Sequence, residues 1–280
     1  MLELNKIYNM DCVEGMELLD DESIDLTVTS PPYDDLRVYN GFSWDYKETL
    51  KQLYRVTKQG GTVVWIVSDA YDDGSETGTS FRQALYAIEC GFKLNDTMIW
   101  DKMGFTDIAS LQYRYAQVFE YMFVFSKGKP KTYNPIKDHI NKNVGSHKKS
   151  ASIRQRTGEL KKITDDGGKI GELGIRHNIW RISSNRTKNE RTGHPAQFPE
   201  SLVSDHIISW SNEGDLVLDP FMGSGTTAIV AKRLGRKYIG FELSKEYYDM
   251  SQRRLIGSQK EVKQELEDGT VLAKSNLIEL

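Results

Sequence analysis

Cysteine is scarce in this 280-residue chain: Cys12 and Cys90 are the only two, far apart and in no metal-ligand spacing. A disulfide framework and a zinc site are therefore not expected, and a reducing cytoplasm is the natural setting. Long apolar runs are missing too. None approaches the roughly 20 residues that a membrane-spanning helix needs, and Met1 to Lys6 shows no basic stretch leading into an apolar one. Neither an anchor nor an export signal is read, and no membrane partner is expected. Two glycine signatures are absent from the one glycine-rich turn after a strand, Gly223-Ser224-Gly225-Thr226-Thr227. It is not Gly-x-Gly-x-x-Gly, which weakens a dinucleotide reading, and no Gly-Lys-Ser/Thr follows, which disfavours an NTPase.

What is present is ordinary in bulk and uneven in distribution. A hydrophobic content of 38% with 28% charged residues suits a soluble α/β domain with an elaborated insertion. The net charge of −3 conceals a basic segment. Residues 127–191 hold 17 of the 37 Lys and Arg but only 6 of the 40 Asp and Glu. An acidic protein with one basic segment is suited to a polyanion there, nucleic acid first, unless the lysines serve only to keep a loop solvated.

Ile24 to Val28 reads as a buried strand stopped by Thr29-Ser30-Pro31-Pro32-Tyr33, because neither proline can donate to a sheet ladder. A strand stopped this way ends at the carboxyl edge of a sheet, where open α/β folds bind ligands. The carbonyls of Ser30 and Pro31, the Ser30 hydroxyl and the Tyr33 ring suit a flat ring bearing an amino group. A proline-rich turn with a packing tyrosine is the other reading. Asp11 falls at a strand-to-helix turn after Ile7-Tyr8, where it accepts hydrogen bonds from a ligand or only caps the helix.

Further helices are predicted over Tyr46–Val56, stopped by Gly60-Gly61, and along an apolar face of Phe81, Ala84, Leu85 and Ile88. Strands are predicted at 62–67, 97–100 and 121–125. After Pro199 comes a helix with Leu202, Val203, Ile207 and Ile208 inward. Asp215 to Glu242 then reads as strand, glycine turn, helix, strand, acid, with Glu242 roughly 20 residues beyond the glycines, the spacing that holds a nucleoside ribose. A helix capped by Ser244 follows to about Leu255. A cofactor with one ribose, a carboxylate and no pyrophosphate satisfies Glu242 and the turn, and S-adenosylmethionine fits that description.

Asp219-Pro220-Phe221-Met222-Gly223-Ser224-Gly225-Thr226-Thr227 resembles the cofactor motif of the amino-group DNA methyltransferases. Thr29-Ser30-Pro31-Pro32-Tyr33 resembles their catalytic motif, and His194 to Pro199 is similar to the segment before their cofactor strand. The order, catalytic motif first, is that of the circularly permuted β class. The resemblance implies a Rossmann-like methyltransferase fold, α/β with a mostly parallel doubly wound sheet, in which 1–126 is the catalytic region and 192–257 the cofactor region. The insertion at 127–191 is then the target-recognition region, and 258–280 a tail with no assigned role. It implies S-adenosylmethionine held by Asp11, Cys12, Thr29, Asp219, Phe221, Gly223, Ser224, Gly225, Thr226 and Glu242. Ser30, Pro31, Pro32 and Tyr33 would hold a flipped base, and Arg37, Lys148, Lys149, Arg154 and Arg156 would contact double-stranded DNA. No metal is implied. A companion restriction endonuclease and a homodimer are expected partners, in a bacterial, archaeal or phage-encoded protein. The Ser-Pro-Pro-Tyr form is associated mainly with cytosine N4, with adenine N6 as the alternative. Carbon-5 methylation is disfavoured, since neither cysteine follows a proline. A DNA-binding module without catalysis, or a methyltransferase acting on RNA or a protein amide, are the readings from other classes.

Overall fold

The apolar runs become strands covered on both faces. The computed structural model describes residues 2–32, 44–104, 109–112, 114–147, 151–155, 157–163, 168–184 and 197–267. In chain order these form β1 (Lys6–Tyr8), α1 (Cys12–Glu17), β2 (Ile24–Thr29), α2 (Tyr46–Val56), β3 (Thr57–Val67), β4 (Tyr71–Asp72) and β5 (Ser75–Glu76). Next come α3 (Thr79–Glu89), β6 (Lys93–Asp101), β7 (Phe119–Ser126), β8 (Lys137–Ile140), β9 (Ala151–Arg154), β10 (Leu160–Ile163), β11 (Leu173–Ile175) and β12 (Ile179–Arg181). The chain continues with α4 (Glu200–Trp210), β13 (Leu216–Asp219), α5 (Thr226–Arg233), β14 (Lys237–Phe241) and α6 (Lys245–Glu267).

Eight strands make one sheet in the order β1-β14-β13-β2-β3-β7-β6-β12. Its pairings are parallel except where β7 runs against β3 and β6. The α/β fold with a mostly parallel sheet is therefore as read from the sequence. Helix α1 packs on α2 and α2 on α3, while α4 packs on α5 and α5 on α6. The core beneath the first set joins Met16, Leu50, Leu53 and Ala87 to Val63, Trp65, Phe123 and Phe241 of the strands. With two helical layers to bury them, Val64, Ile66, Val124 and Val217 are also fully buried, which is why these strands read as continuous rather than alternating.

Residues 135–177 form a compact unit of their own, narrower than the 127–191 read from charge. Within it β8 pairs with β11 and β9 with β10, both antiparallel. The flanks belong to the other unit. Lys127 is buried and donates to the Tyr54 carbonyl at 2.9 Å, and β12 rejoins the large sheet beside β6.

Four local expectations change. Helix α2 ends at Val56, and Gly60-Gly61 lies inside β3, not at a helix stop; the pairing with β2 shifts there, between Ile24 and Leu26, and Gly60 takes φ 81°. Helix α3 does not bury Phe81, Leu85 and Ile88, which are 48%, 61% and 42% exposed. It buries Ser80, Gln83, Ala84 and Ala87. On α4, Leu202, Val203 and Ile207 are inward as read, but Ile208 is exposed and His206 is fully buried in the core. Helix α6 continues past Leu255 to Glu267: no proline lies between them, and the good helix formers Lys, Glu, Gln and Leu that follow outweigh the single Gly257.

Candidate functional site

The acids and the proline motif of the site come from the carboxyl ends of strands. The prolines end β2 at Thr29, Asp219 ends β13, and Glu242 follows β14. These ends open on one cleft with about 1000 Å³ of non-atom space, part of it open to solvent.

Of the residues singled out in the sequence, Asp11, Cys12, Ser30, Pro32, Asp219, Phe221, Gly223, Ser224, Thr226 and Glu242 line it. Pro31 is buried beside it. Tyr33 and Arg37 lie outside the described residues, as do Lys148, Lys149 and Arg156. Arg154, on β9, is exposed in the 135–177 unit.

Thr29 and Asp219 are engaged with each other more than with the cleft. The Thr29 hydroxyl donates to Asp219 Oδ1 at 2.6 Å, across 190 residues of chain. The Phe221 N–H donates to the same oxygen at 3.0 Å, and the Thr227 hydroxyl to Oδ2 at 2.7 Å. Burial pushes the Asp219 carboxyl up to about 6, against the pull of these three donors. The carboxylate thus ties the end of the catalytic strand to the glycine turn.

Glu242 clamps that turn from the other side. Its Oε2 accepts from Gly223 N at 2.7 Å and its Oε1 from Ser244 N at 2.8 Å, and burial raises its pKa above the ordinary value. Each carboxylate oxygen takes two hydrogen bonds, so both retain capacity for ligand hydroxyls. Asp11 caps α1, with Oδ1 accepting from Val13 N at 2.7 Å and Glu14 N at 3.3 Å, while its side chain still faces the cleft. Cys12 sits against the Thr49 hydroxyl at 3.8 Å; burial, with Asp11 beside it, pushes its thiol up to about 12. It is a neutral lining group and no nucleophile.

Gly225 stands at the head of α5 with φ 84°, a left-handed conformation, and a Cβ there would lie 2.9 Å from Ser251 Cβ. The turn therefore packs onto α6, with the positive end of α5 at the cleft. Just before the turn in the chain, the Phe221 ring meets Trp44 edge to face at 5.2 Å.

Sequence reading left Trp44, Thr227, Phe241, Tyr247 and Phe198 out of the assigned site residues, Thr227 even though it stands in the glycine-turn motif; all five line the cleft. Tyr247 carried a signal, as the third residue of a helix starting just after Glu242. Trp44 carried one as the aromatic before the Asp45 cap of α2.

A cleft that brings together carboxylates, aromatic rings and a glycine turn clamped at a helix start suits a nucleoside. The family model described as DNA methylase, N6/N4 type, matches residues 24–253, most of the chain. The chain belongs to the DNA methylase family. The methylase is 55% identical over 247 residues to the orphan methyltransferase M.BamHII of Bacillus amyloliquefaciens, a match covering 85% of this chain and 91% of that one. Among solved structures, the PvuII DNA methyltransferase (cytosine-N4-specific) aligns with a TM-score of 0.65 at 24% identity, covering 88% of the methylase and 84% of that chain. The M1.HpyAVI–SAM complex aligns with a TM-score of 0.60 at 24% identity, covering 89% and 98%. Those two likenesses show the fold. Among the described residues of the methylase, no group of three or more His, Cys, Asp or Glu could hold a metal ion, and no helix is long and apolar enough to cross a membrane.

Proposed function

We propose that the methylase transfers a methyl group from S-adenosylmethionine to the exocyclic amino group of a base flipped out of double-stranded DNA, cytosine N4 before adenine N6. The observation that carries this reading is that Ser30 and Pro32 open on the same cleft as the glycine turn and Glu242. A methyl donor and an acceptor amino group need that shared cleft to meet.

The residues present suit the donor. Glu242 and Asp11 offer carboxylate oxygens to ribose or adenine, Phe221 and Trp44 offer ring faces and edges, and the head of α5 offers an anion site. Bound there, S-adenosylmethionine supplies an electrophilic methyl on a positively charged sulfur. The chain's own contribution is alignment, worth several orders of magnitude when reacting atoms are held at near-attack distance. The Ser30 hydroxyl and Pro31 carbonyl accept the amino hydrogens, which draws the nitrogen lone pair out of ring conjugation. Tyr33 stacks on the extruded ring. No strong base is required, because the amino nitrogen sheds its proton only once it has become a cation.

The 127–191 segment reads target DNA in this proposal, with Arg154, Lys148, Lys149 and Arg156 as its phosphate contacts and Arg37 as a further contact from the catalytic region. A companion endonuclease and a second copy of the chain are the further partners of this reading, in the cytoplasm. Ser30 in place of an aspartate favours cytosine. Digesting DNA treated with the protein and S-adenosylmethionine to nucleosides, then weighing the modified base, is expected to give N4-methylcytosine. N6-methyladenine would transfer the assignment to the alternative base, and unmodified DNA would refute the reading.

A further inference from the structure

Arg254, on α6, stands behind the glycine turn and is not one of the residues that line the cleft. Its Nη1 donates to the Ser224 carbonyl at 2.8 Å, to Ser224 Oγ at 3.2 Å and to Thr226 Oγ1 at 3.1 Å. Its Nη2 reaches Glu200 Oε1 at 3.2 Å, and the other oxygen of Glu200 takes Arg233 Nη1 at 2.8 Å. Arg254 and Glu200 side chains are only 16% and 20% exposed. Among the described residues, two guanidinium groups share this one carboxylate, an excess of positive charge in the cluster. It lies against the first turn of α5, whose helix dipole adds to the same sign. Ser224 and Thr226, the residues that Arg254 holds, are themselves cleft residues.

We infer that Arg254 is a positioning residue for the amino-acid arm of the cofactor. Acting through Ser224 and Thr226, it commits the Ser224 carbonyl to α6, away from an incoming carboxylate, and it supplies positive potential where that carboxylate binds. A planar fork with several donors performs this task; one point charge does not. Adenosine recognition, by contrast, is assigned in the cofactor reading to Glu242, Asp11 and the aromatic rings of the cleft, whereas the described hydrogen bonds of Arg254 run to Ser224, Thr226 and Glu200. The inference rests on the cofactor reading above.

The two roles separate by calorimetry with a pair of probes. S-adenosylhomocysteine carries the amino-acid arm, and 5′-methylthioadenosine has the same nucleoside and thioether without it. Arg254→Met is expected to weaken S-adenosylhomocysteine binding about tenfold, the scale of one charge-assisted contact, and to leave methylthioadenosine within about twofold. Arg254→Lys, which keeps the charge and loses the fork, is expected to lose about threefold in the same ratio, and it carries the test if the methionine variant does not fold. Equal losses for both probes, or none for either, would overturn the inference by reducing Arg254 to a packing group. A wild-type protein that binds neither probe would instead remove the cofactor reading, and this inference with it.

Discussion

Asp219 holds a carboxylate that is buried, 2% exposed, and three donors keep it there. The consequence is measurable in stability against pH. Its ordinary pKa of 3.8 rises to about 6 on folding. Between those values the native chain retains a proton that the unfolded chain has released. Stability therefore falls as pH rises from about 4 to about 6, and this contribution is level above that. The drop is on the order of 2–3 kcal/mol. Asp219→Asn is expected to flatten the slope in that window, leaving the smaller part that Glu242 contributes in the same direction, in urea unfolding midpoints taken from pH 4 to 7. Curves that stay parallel would contradict it. Thr29→Val removes a donor to the ionised form and should push the upper edge of the window higher. The two acids were legible as residues that end strands, Asp219 and Glu242 alike. The Thr29 bond was not, because 190 residues of chain separate its partners and no local pattern encodes which strand ends become neighbours.

Helix α3 shows where periodicity and burial part company. Its apolar stripe at Phe81, Leu85 and Ile88 has helical spacing, yet the buried side carries polar Ser80 and Gln83. Both are satisfied: the Ser80 N–H and hydroxyl donate to Asp69, and Gln83 Oε1 accepts from Trp65 Nε1 at 2.8 Å. Sequence patterning counts apolar side chains and is blind to a buried indole that needs an acceptor. Gln83→Leu is therefore expected to cost about 1–3 kcal/mol by stranding the Trp65 N–H. Leu85→Glu should change stability by no more than about 0.5 kcal/mol. Chemical denaturation of both variants checks the order, and the reverse ranking would restore the face read from the sequence. Elsewhere the elements were readable because signals agreed. Asp45 caps α2, the prolines stop β2, and the glycine turn sits between an apolar strand and a helix. The length of α6 was missed because polar helices carry no apolar stripe to follow.

At the scale of the molecule, charge and architecture divide the labour. The basic segment straddles the separate 135–177 unit, and an acidic remainder carries the cleft. Replacing 135–177 by a short flexible linker is expected to leave S-adenosylhomocysteine binding within a fewfold while DNA binding and its steep dependence on salt are lost. Calorimetry and fluorescence anisotropy against salt measure the two. Retained DNA affinity would move the recognition role elsewhere, and loss of both activities would show that the large sheet depends on the insertion. The fold class was legible because alternating strands and helices admit few parallel arrangements. The limits of the insertion were not, because Lys127, which is buried, and Arg181, whose backbone pairs in the large sheet, count as basic residues while belonging to the other unit.

The sheet order has a consequence in time. Strand β2, which ends in the catalytic motif, takes β3 on one side within a few dozen residues but must wait for β13 on the other. At ribosomal rates, the 190 residues between Thr29 and Asp219 take roughly 10–40 s to synthesise. During that interval a hydrophobic strand edge stands open to any other strand. Emergence of β13 from the ribosome ends that exposure, and the cleft is complete only once Glu242 and the start of α6 have followed it.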